Sequence, residues 1–364
     1  MSRVLIFANN DVGLYKFRKE LLDELIKLEN QVFIALPPGN FISSMKELGC
    51  NYIATDIDRR GMNPFKDIKL ILNYTNIIKS VKPDVVLTYT IKPNIYGGFL
   101  CGIKKIPYII NITGLGTAIE NTSIMQKLII RLYKIGVKNA SCIFFQNIEN
   151  KKFFQKFITI KNSQVLPGSG VNLSEYSYKP YPENDTNIKI IYVGRIMKDK
   201  GINELFEAIK IIKKEYGNVN FELIGDTEEN YTEQLNELEK NNLIKYYGVQ
   251  KDVRPFINNC HAIILPSYHE GMANVLLESA ATGRPILASQ VPGCIETFDE
   301  EISGFGFRVK DVNSIVETIR KFIELPYEQK KGMGLAGRLK MEQEFNRRII
   351  IDAYLEEIAK AITK

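Results

Sequence analysis

Short runs of β-branched and aromatic residues alternate with longer amphipathic stretches along the whole chain. The first apolar run covers residues 4–8, and apolar positions then recur at helical spacing over 14–28. Further strands are predicted at 31–36, 52–55, 84–88, 108–112 and 142–146, with helical stretches between most of them. Runs such as VVLTYT and YIINIT lack polar alternation, which suits parallel strands covered on both faces. Alternation of this kind predicts a doubly wound α/β architecture.

The pattern breaks at residues 176–187, YSYKPYPENDTN, where Pro, Asn and acidic residues concentrate as they do in linkers. It then restarts, with strands predicted at 189–193, 220–224, 244–247, 262–265 and 285–288. Helices are expected at 202–216, 231–240 and 274–281. The reading is two Rossmann-like domains, 1–170 and 188–340, joined by a linker at 171–187. Residues 341–364 are helical in period and are expected to cross back onto the first domain. Ligands of such folds lie at the carboxyl ends of the strands, which points to a cleft between the two domains.

Composition narrows the classes. A chain of 364 residues is too long for one ordinary core and suits two. The net charge of +6 is mild and spread out, consistent with simple solubility or with attraction to anionic lipid or phosphorylated substrates. Dense basic clusters with interleaved aromatics are missing, which argues against nucleic acid as a partner. Five scattered cysteines (Cys50, Cys101, Cys142, Cys260, Cys294) without a CxxC pair argue against a disulfide framework or zinc site, and for a reducing compartment. The N-terminus lacks a signal-peptide pattern, and no apolar run approaches the roughly 20 residues that span a bilayer. The expected location is the cytoplasm or the membrane surface.

Two motifs carry the chemistry. Glu270-Gly-Met-Ala-Asn-Val-Leu-Leu-Glu278 follows the run AIILPS, so it lies at a strand's carboxyl end and opens a helix. A helix N-terminus offers free N–H groups and partial positive charge to phosphates. Carboxylates accept paired hydrogen bonds from sugar hydroxyls. Glu270 can grip a transferred sugar, and Glu278, two helical turns on and expected on the same face, a ribose. The plain alternative is a capping Glu and a solvated one. The second motif, Gly194-Arg195-Ile-Met-Lys198-Asp-Lys200-Gly201, sits at the first strand–helix turn of the second domain. Arg195 and Lys200 supply a bidentate fork and a point charge for a diphosphate, and would stabilise charge on a departing one. A solvated basic turn is the alternative.

A Gly-Arg-x4-Lys-Gly turn followed by Pro-Ser-x2-Glu-Gly-x6-Glu resembles glycosyltransferase family 4, whose members are retaining enzymes of GT-B fold. The resemblance runs through nearly the whole chain, with Gly168-Ser-Gly-Val-Asn172 and Thr-Gly-Arg-Pro285 also fitting. Tyr15-x-Phe-Arg18, Asn63-Pro-Phe65 and Thr113-Gly-Leu-Gly116 are similar to the bacterial branch that builds capsule, O-antigen and N-glycan precursors. The resemblance implies transfer of a hexose or N-acetylhexosamine from UDP-GalNAc, UDP-GlcNAc or UDP-Gal, with α linkage, onto a polyprenyl-diphosphate-linked glycan. It implies no metal and no other cofactor, and peripheral contact with the cytoplasmic face of the plasma membrane. Carried over residue by residue, Arg195 and Lys200 hold the diphosphate and Glu270 the donor sugar. Gly271, Met272, Ala273, Asn274 and Val275 contact sugar and phosphate through their backbone. Glu278 binds the ribose, and Gly248 and Val249 meet the base.

One departure stands out: many family members place a His after the strand that here ends near Asn111, where this chain reads Asn-Ile-Thr-Gly-Leu-Gly. Thr113 and the Gly114 backbone are the candidates for its place. The turn before the first helix brings Asn10 and Gly13 toward phosphate or acceptor, and Arg18 toward an acceptor pyrophosphate. The alternative is a helix cap by Asp11 with a solvated Arg18. Residues 123–138 are helical, apolar and basic, suited to an anionic membrane or to ordinary packing on the sheet. His261 and His269, the only histidines, read as structural and loop residues, and Asp56-Ile-Asp58 as an accident at a strand end. A nucleotide-sugar 2-epimerase and a silent sugar-nucleotide-binding subunit are the alternative functions. The scarcity of histidine argues against the first, and the intact Glu and Arg/Lys pairs against the second.

Overall fold

The computed structural model describes residues 1–58, 63–113, 124–183, 186–227 and 229–363. The chain forms two compact units, Met1–Ser169 with Arg348–Lys364, and Gly170–Arg347.

The first unit is built on seven parallel strands: β1 (Arg3–Phe7), β2 (Gln31–Leu36), β3 (Asn51–Ala54), β4 (Val85–Tyr89), β5 (Tyr108–Ile112), β6 (Cys142–Phe145) and β7 (Ser163–Val165). Their order is β3-β2-β1-β4-β5-β6-β7, so the direction of winding reverses between β1 and β4. Every residue of β4, β5 and β6 is buried, because helices cover both faces. Helix Asp11–Lys27 and the returning helix Arg347–Ile362 cover one face. Helices Pro64–Val81, Gly98–Lys104 and Ile124–Val137 cover the other.

The second unit repeats the plan with β8 (Ile188–Val193), β9 (Val219–Ile224), β10 (Lys245–Tyr246), β11 (Ala262–Leu265), β12 (Ile286–Ser289) and β13 (Gly304–Phe307). All pair in parallel in the order β10-β9-β8-β11-β12-β13, with the reversal between β8 and β11. The α/β class and the pair of Rossmann-like sheets expected from the sequence are both present.

Two boundaries differ from the sequence reading. Residues 171–187 pack on the second unit. Val171 and Tyr181 are buried, and the Tyr181 hydroxyl donates to the His261 carbonyl at 2.9 Å. The fastening is Arg284, 0% exposed, whose guanidinium donates to the carbonyls of Ile257, Asn258, Lys179, Pro180 and Gly283. No acidic partner is needed, because five carbonyl dipoles converge on the one cation. Second, the segment 341–364 is not one helix. Helix Tyr327–Glu344 ends where Phe345 turns into the core, Asn346 pairs with Val171, and a new helix begins at Arg347. Only the second of these two helices packs on the first unit. Ile350, Ile351, Tyr354, Ile358 and Ala361 enter its core, and Glu357 accepts from Gln164 Nε2 at 2.9 Å.

Candidate active site

In the second unit the two motifs meet at the reversal point. β8 delivers Gly194 and Arg195, and β11 delivers Pro266 to Glu270 beside it. Three contacts tie the loops together. The Tyr268 amide donates to the Asp199 carbonyl at 3.0 Å. Gly201 takes φ +67 directly under Pro266, where a Cβ would stand 2.0 Å from the Pro266 carbonyl oxygen. Lys200 Nζ donates to Glu270 Oε1 at 2.5 Å, with both side chains largely buried. Only glycine fits that conformation and that gap.

Around Glu270 the chain is firmly set. Ser267, fully buried, donates from Oγ to the same Oε1 at 2.8 Å. Gly293 backs the Glu270 backbone, and its carbonyl accepts from the Ala273 amide at 2.8 Å. Burial raises the Tyr192 phenol well above its usual range, and the negative charge of Glu270 adds to the shift. Arg195 is exposed at the turn, and its carbonyl accepts from the Tyr192 hydroxyl at 2.7 Å.

Helix Asn274–Ala281 starts four residues after Glu270 and no side chain caps it. Glu278 therefore lies one turn inside the helix, and the two-turn, same-face argument for the pair does not hold. The loop Gly271–Ala273 sets their relation instead. The Met272 and Ala273 side chains belong to the core, which leaves only backbone from these two positions. Asn274 Oδ1 is buried with no hydrogen-bond partner. Glu278 is half-buried; burial first, then the negative charge of Glu278, raises the Tyr176 phenol. Gly248 holds φ +61 with open space at its Cβ position, and Val249 beside it is exposed. The Gly248 carbonyl accepts from the Gly225 amide at 2.9 Å, which fixes this loop against the turn after β9.

Ser267, Tyr176 and Gly293 had no assigned role in the sequence reading. Ser267 stands inside the quoted Pro-Ser-x2-Glu-Gly motif, so its signal was present. Tyr176 lay in the supposed linker, and Gly293 follows β12 with no local mark of its neighbour.

In the first unit the corresponding turn follows β1. Asn10 caps helix Asp11–Lys27, its Oδ1 accepting from the Gly13 amide at 2.6 Å. The expected alternative, a cap by Asp11, is corrected: Asp11 is buried and accepts from the Phe41 amide at 2.9 Å. Arg18 is neither solvated nor placed for direct contact with a pyrophosphate. It is 5% exposed, with its guanidinium 5.3 Å from the Tyr89 ring centre and 5.4 Å from that of Tyr354. The helix carries Arg18 on its inward face, where two aromatic rings replace water. Asn111 is likewise committed, donating to the Thr88 carbonyl at 3.0 Å and accepting from the Tyr354 hydroxyl. Thr113 follows β5, partly exposed, whereas Gly114 lies outside the described residues. His261 accepts from the Lys189 amide at 3.0 Å, a structural role. Asp58 pairs with Lys66 at 3.1 Å.

The family model "Glycosyl transferases group 1" matches residues 175–340, and "Glycosyl transferase 4-like" matches residues 3–147. The chain is similar to the N,N'-diacetylbacillosaminyl-diphospho-undecaprenol alpha-1,3-N-acetylgalactosaminyltransferase of Campylobacter jejuni, at 25% identity over 97% of each chain. It is also similar to the UDP-Gal:alpha-D-GlcNAc-diphosphoundecaprenol alpha-1,3-galactosyltransferase of Escherichia coli, at 25% identity over 71% of each chain. Among solved structures, sucrose-phosphate synthase from Thermosynechococcus elongatus shares the fold, with a TM-score of 0.81, 17% identity and 100% of each chain covered.

Proposed function

Since the chain belongs to the group 1 glycosyl transferases through residues 175–340, and to the glycosyl transferase 4-like proteins through residues 3–147, we propose a specific transfer for it. It is a glycosyltransferase. The donor is UDP-GalNAc, UDP-GlcNAc or UDP-Gal, and the sugar passes in α linkage to a glycan carried on a polyprenyl diphosphate. The named activities of the two relatives support this choice of donor and acceptor. The observation that carries the reading is the Lys200–Glu270–Ser267 cluster at the reversal point between β8 and β11.

Each group has a task there. Arg195 and Lys200 hold the diphosphate, and the amides of Asn274 and Val275 at the uncapped helix start add to its field. Glu270 accepts from sugar hydroxyls, Glu278 from the ribose, and Gly248 and Val249 lie against the base. On the first unit, the Asn10–Gly13 turn and Thr113 serve the acceptor, while Arg18 supports that region from beneath. In the transfer, the acceptor oxygen forms a bond to the anomeric carbon on the face from which the diphosphate departs. The bond from that carbon to the phosphate oxygen breaks, and the acceptor proton passes to the departing phosphate. The cations stabilise the charge that builds on the diphosphate, so neither a protein nucleophile nor a metal is required in this scheme.

Contact with the cytoplasmic face of the membrane completes the proposal. Three neighbouring helices turn apolar and basic side chains outward. Phe65, Ile68 and Leu72 are 81%, 56% and 60% exposed on one outer face of helix Pro64–Val81. Phe99, Ile103, Leu128 and Ile135 are exposed on the next two helices, with Lys127, Arg131, Lys134 and Lys138 among them. Apolar residues within a basic, nearly acid-free surface match an anionic bilayer.

The test is a matrix of UDP-, GDP- and dTDP-sugars against undecaprenyl-diphosphate-linked sugars, with product linkage read by NMR. Transfer from one of the three named donors, with the α configuration kept, supports the proposal. Transfer only from GDP- or dTDP-sugars, or an inverted product, overturns it.

A further inference from the structure

Glu270 receives two hydrogen bonds, and both fall on one atom. Lys200 Nζ at 2.5 Å and Ser267 Oγ at 2.8 Å each donate to Oε1. Oε2 receives none from the described residues. The carboxylate is thus asymmetric: one oxygen is saturated by the protein, and the other is left to accept.

The geometry places two demands on Lys200. Its ammonium carries three N–H donors, one of which is spent on Glu270. Under the donor-site reading above, on which this inference rests, the same ammonium also faces a diphosphate. Two anions then draw on one cation, and its hold on each weakens the other. A sugar hydroxyl donating to Oε2 takes up part of the carboxylate's charge and relieves the competition. Once the sugar has left, Glu270 returns its full charge to Lys200.

We propose that Glu270, oriented by Ser267, competes with a nucleoside diphosphate for Lys200 and so weakens the site's grip on the nucleotide once the sugar is gone. Glu270 then has a second task beside recognising the sugar: it promotes product release. Ser267 is a positioning residue that keeps Oε1 turned to Lys200 and Oε2 turned to the sugar.

The measurement is UDP and UDP-sugar affinity by calorimetry on the full chain. Glu270→Gln keeps the shape and the acceptor for Ser267 but removes the charge. It should bind UDP about tenfold more tightly than the parent, the scale of one unit charge removed from beside a largely buried cation. Glu270→Ala should shift UDP affinity in the same direction. Ser267→Ala, which frees Oε1 to turn from Lys200, should tighten UDP binding by less than Glu270→Gln does and weaken UDP-sugar binding severalfold, a split that general loosening of the fold would not produce. Equal or weaker UDP binding by both Glu270 variants overturns the inference while leaving the donor site standing. A parent protein that binds no nucleoside diphosphate removes the donor-site reading and this inference together.

Discussion

Gly293 lies so close behind Glu270 that a Cβ at position 293 would stand 2.6 Å from the Glu270 carbonyl oxygen. Its φ of +85 adds a conformational demand that other residues meet at a cost. Gly293→Ala should therefore displace Glu270 and lower kcat/KM by roughly 100-fold, with a stability loss of about 1–2 kcal/mol. Gly217→Ala is the control, since its Cβ would meet nothing within 4 Å. Steady-state kinetics and urea unfolding of both variants check this, and unchanged kinetics in Gly293→Ala would refute it.

The electrostatic coupling of Tyr176 to Glu278 predicts a nucleotide effect from outside the motifs. Tyr176→Phe removes the phenol beside the Glu278 charge and should weaken UDP binding about threefold to tenfold, the scale of one polar interaction. Glu278→Ala should weaken it further. A double-mutant cycle on UDP affinity should show the two changes to be non-additive. Full additivity would count against the coupling.

Arg284 predicts a stability effect without a catalytic one. Arg284→Met leaves five carbonyls without their shared donor and should destabilise the second unit by roughly 3–5 kcal/mol. Unfolding monitored by denaturant would reveal the loss. A variant as stable as the parent would show that solvent replaces the guanidinium at little cost.

The outer face of helix Pro64–Val81 predicts lipid dependence. Ile68→Glu with Leu72→Glu should cut binding to phosphatidylglycerol vesicles at least tenfold and leave UDP affinity unchanged. Vesicle flotation reads the first and calorimetry the second. Undiminished flotation would move the membrane contact to another surface.

Burial pushes the thiols of Cys50, Cys101, Cys142 and Cys260 up to about 12, and Cys294 also rises well above its usual value. The native protein should therefore be inert to a thiol reagent at pH 8 and react at all five sites after unfolding. Because the folded-state values lie above those of the unfolded chain, this contribution to stability is complete below about pH 8.5 and declines as pH rises from there toward 12. Thermal midpoints measured from pH 7 to pH 11 should fall over the upper half of that range.

The sheets were legible because buried parallel strands leave an unbroken apolar signature, as in Val85–Tyr89 and Tyr108–Ile112. Lys200 and Glu270 were legible because each precedes a glycine in the turn that leads from a strand into a helix. The fate of Arg18 was not. Its inward position depends on Tyr354, 336 residues away, and long-range aromatic partners leave no local trace. The supposed linker misled for a related reason. Its polar sequence matches linker chemistry, but Arg284, far downstream, satisfies its carbonyls. The break at Phe345 was hidden because no Gly or Pro stands between Met341 and Ile350 to mark it.

The return of residues 348–364 to the first unit has a consequence for biogenesis. Residues 1–169 leave the ribosome before residues 348–364, with the sheet face beside helix Asp11–Lys27 only partly covered, since Tyr354 and Ile358 have not yet been synthesised. The second unit, contiguous in sequence, can complete its core before the first can close. The first unit is then the last to mature, and during translation its partly covered face is the surface a holdase chaperone would meet.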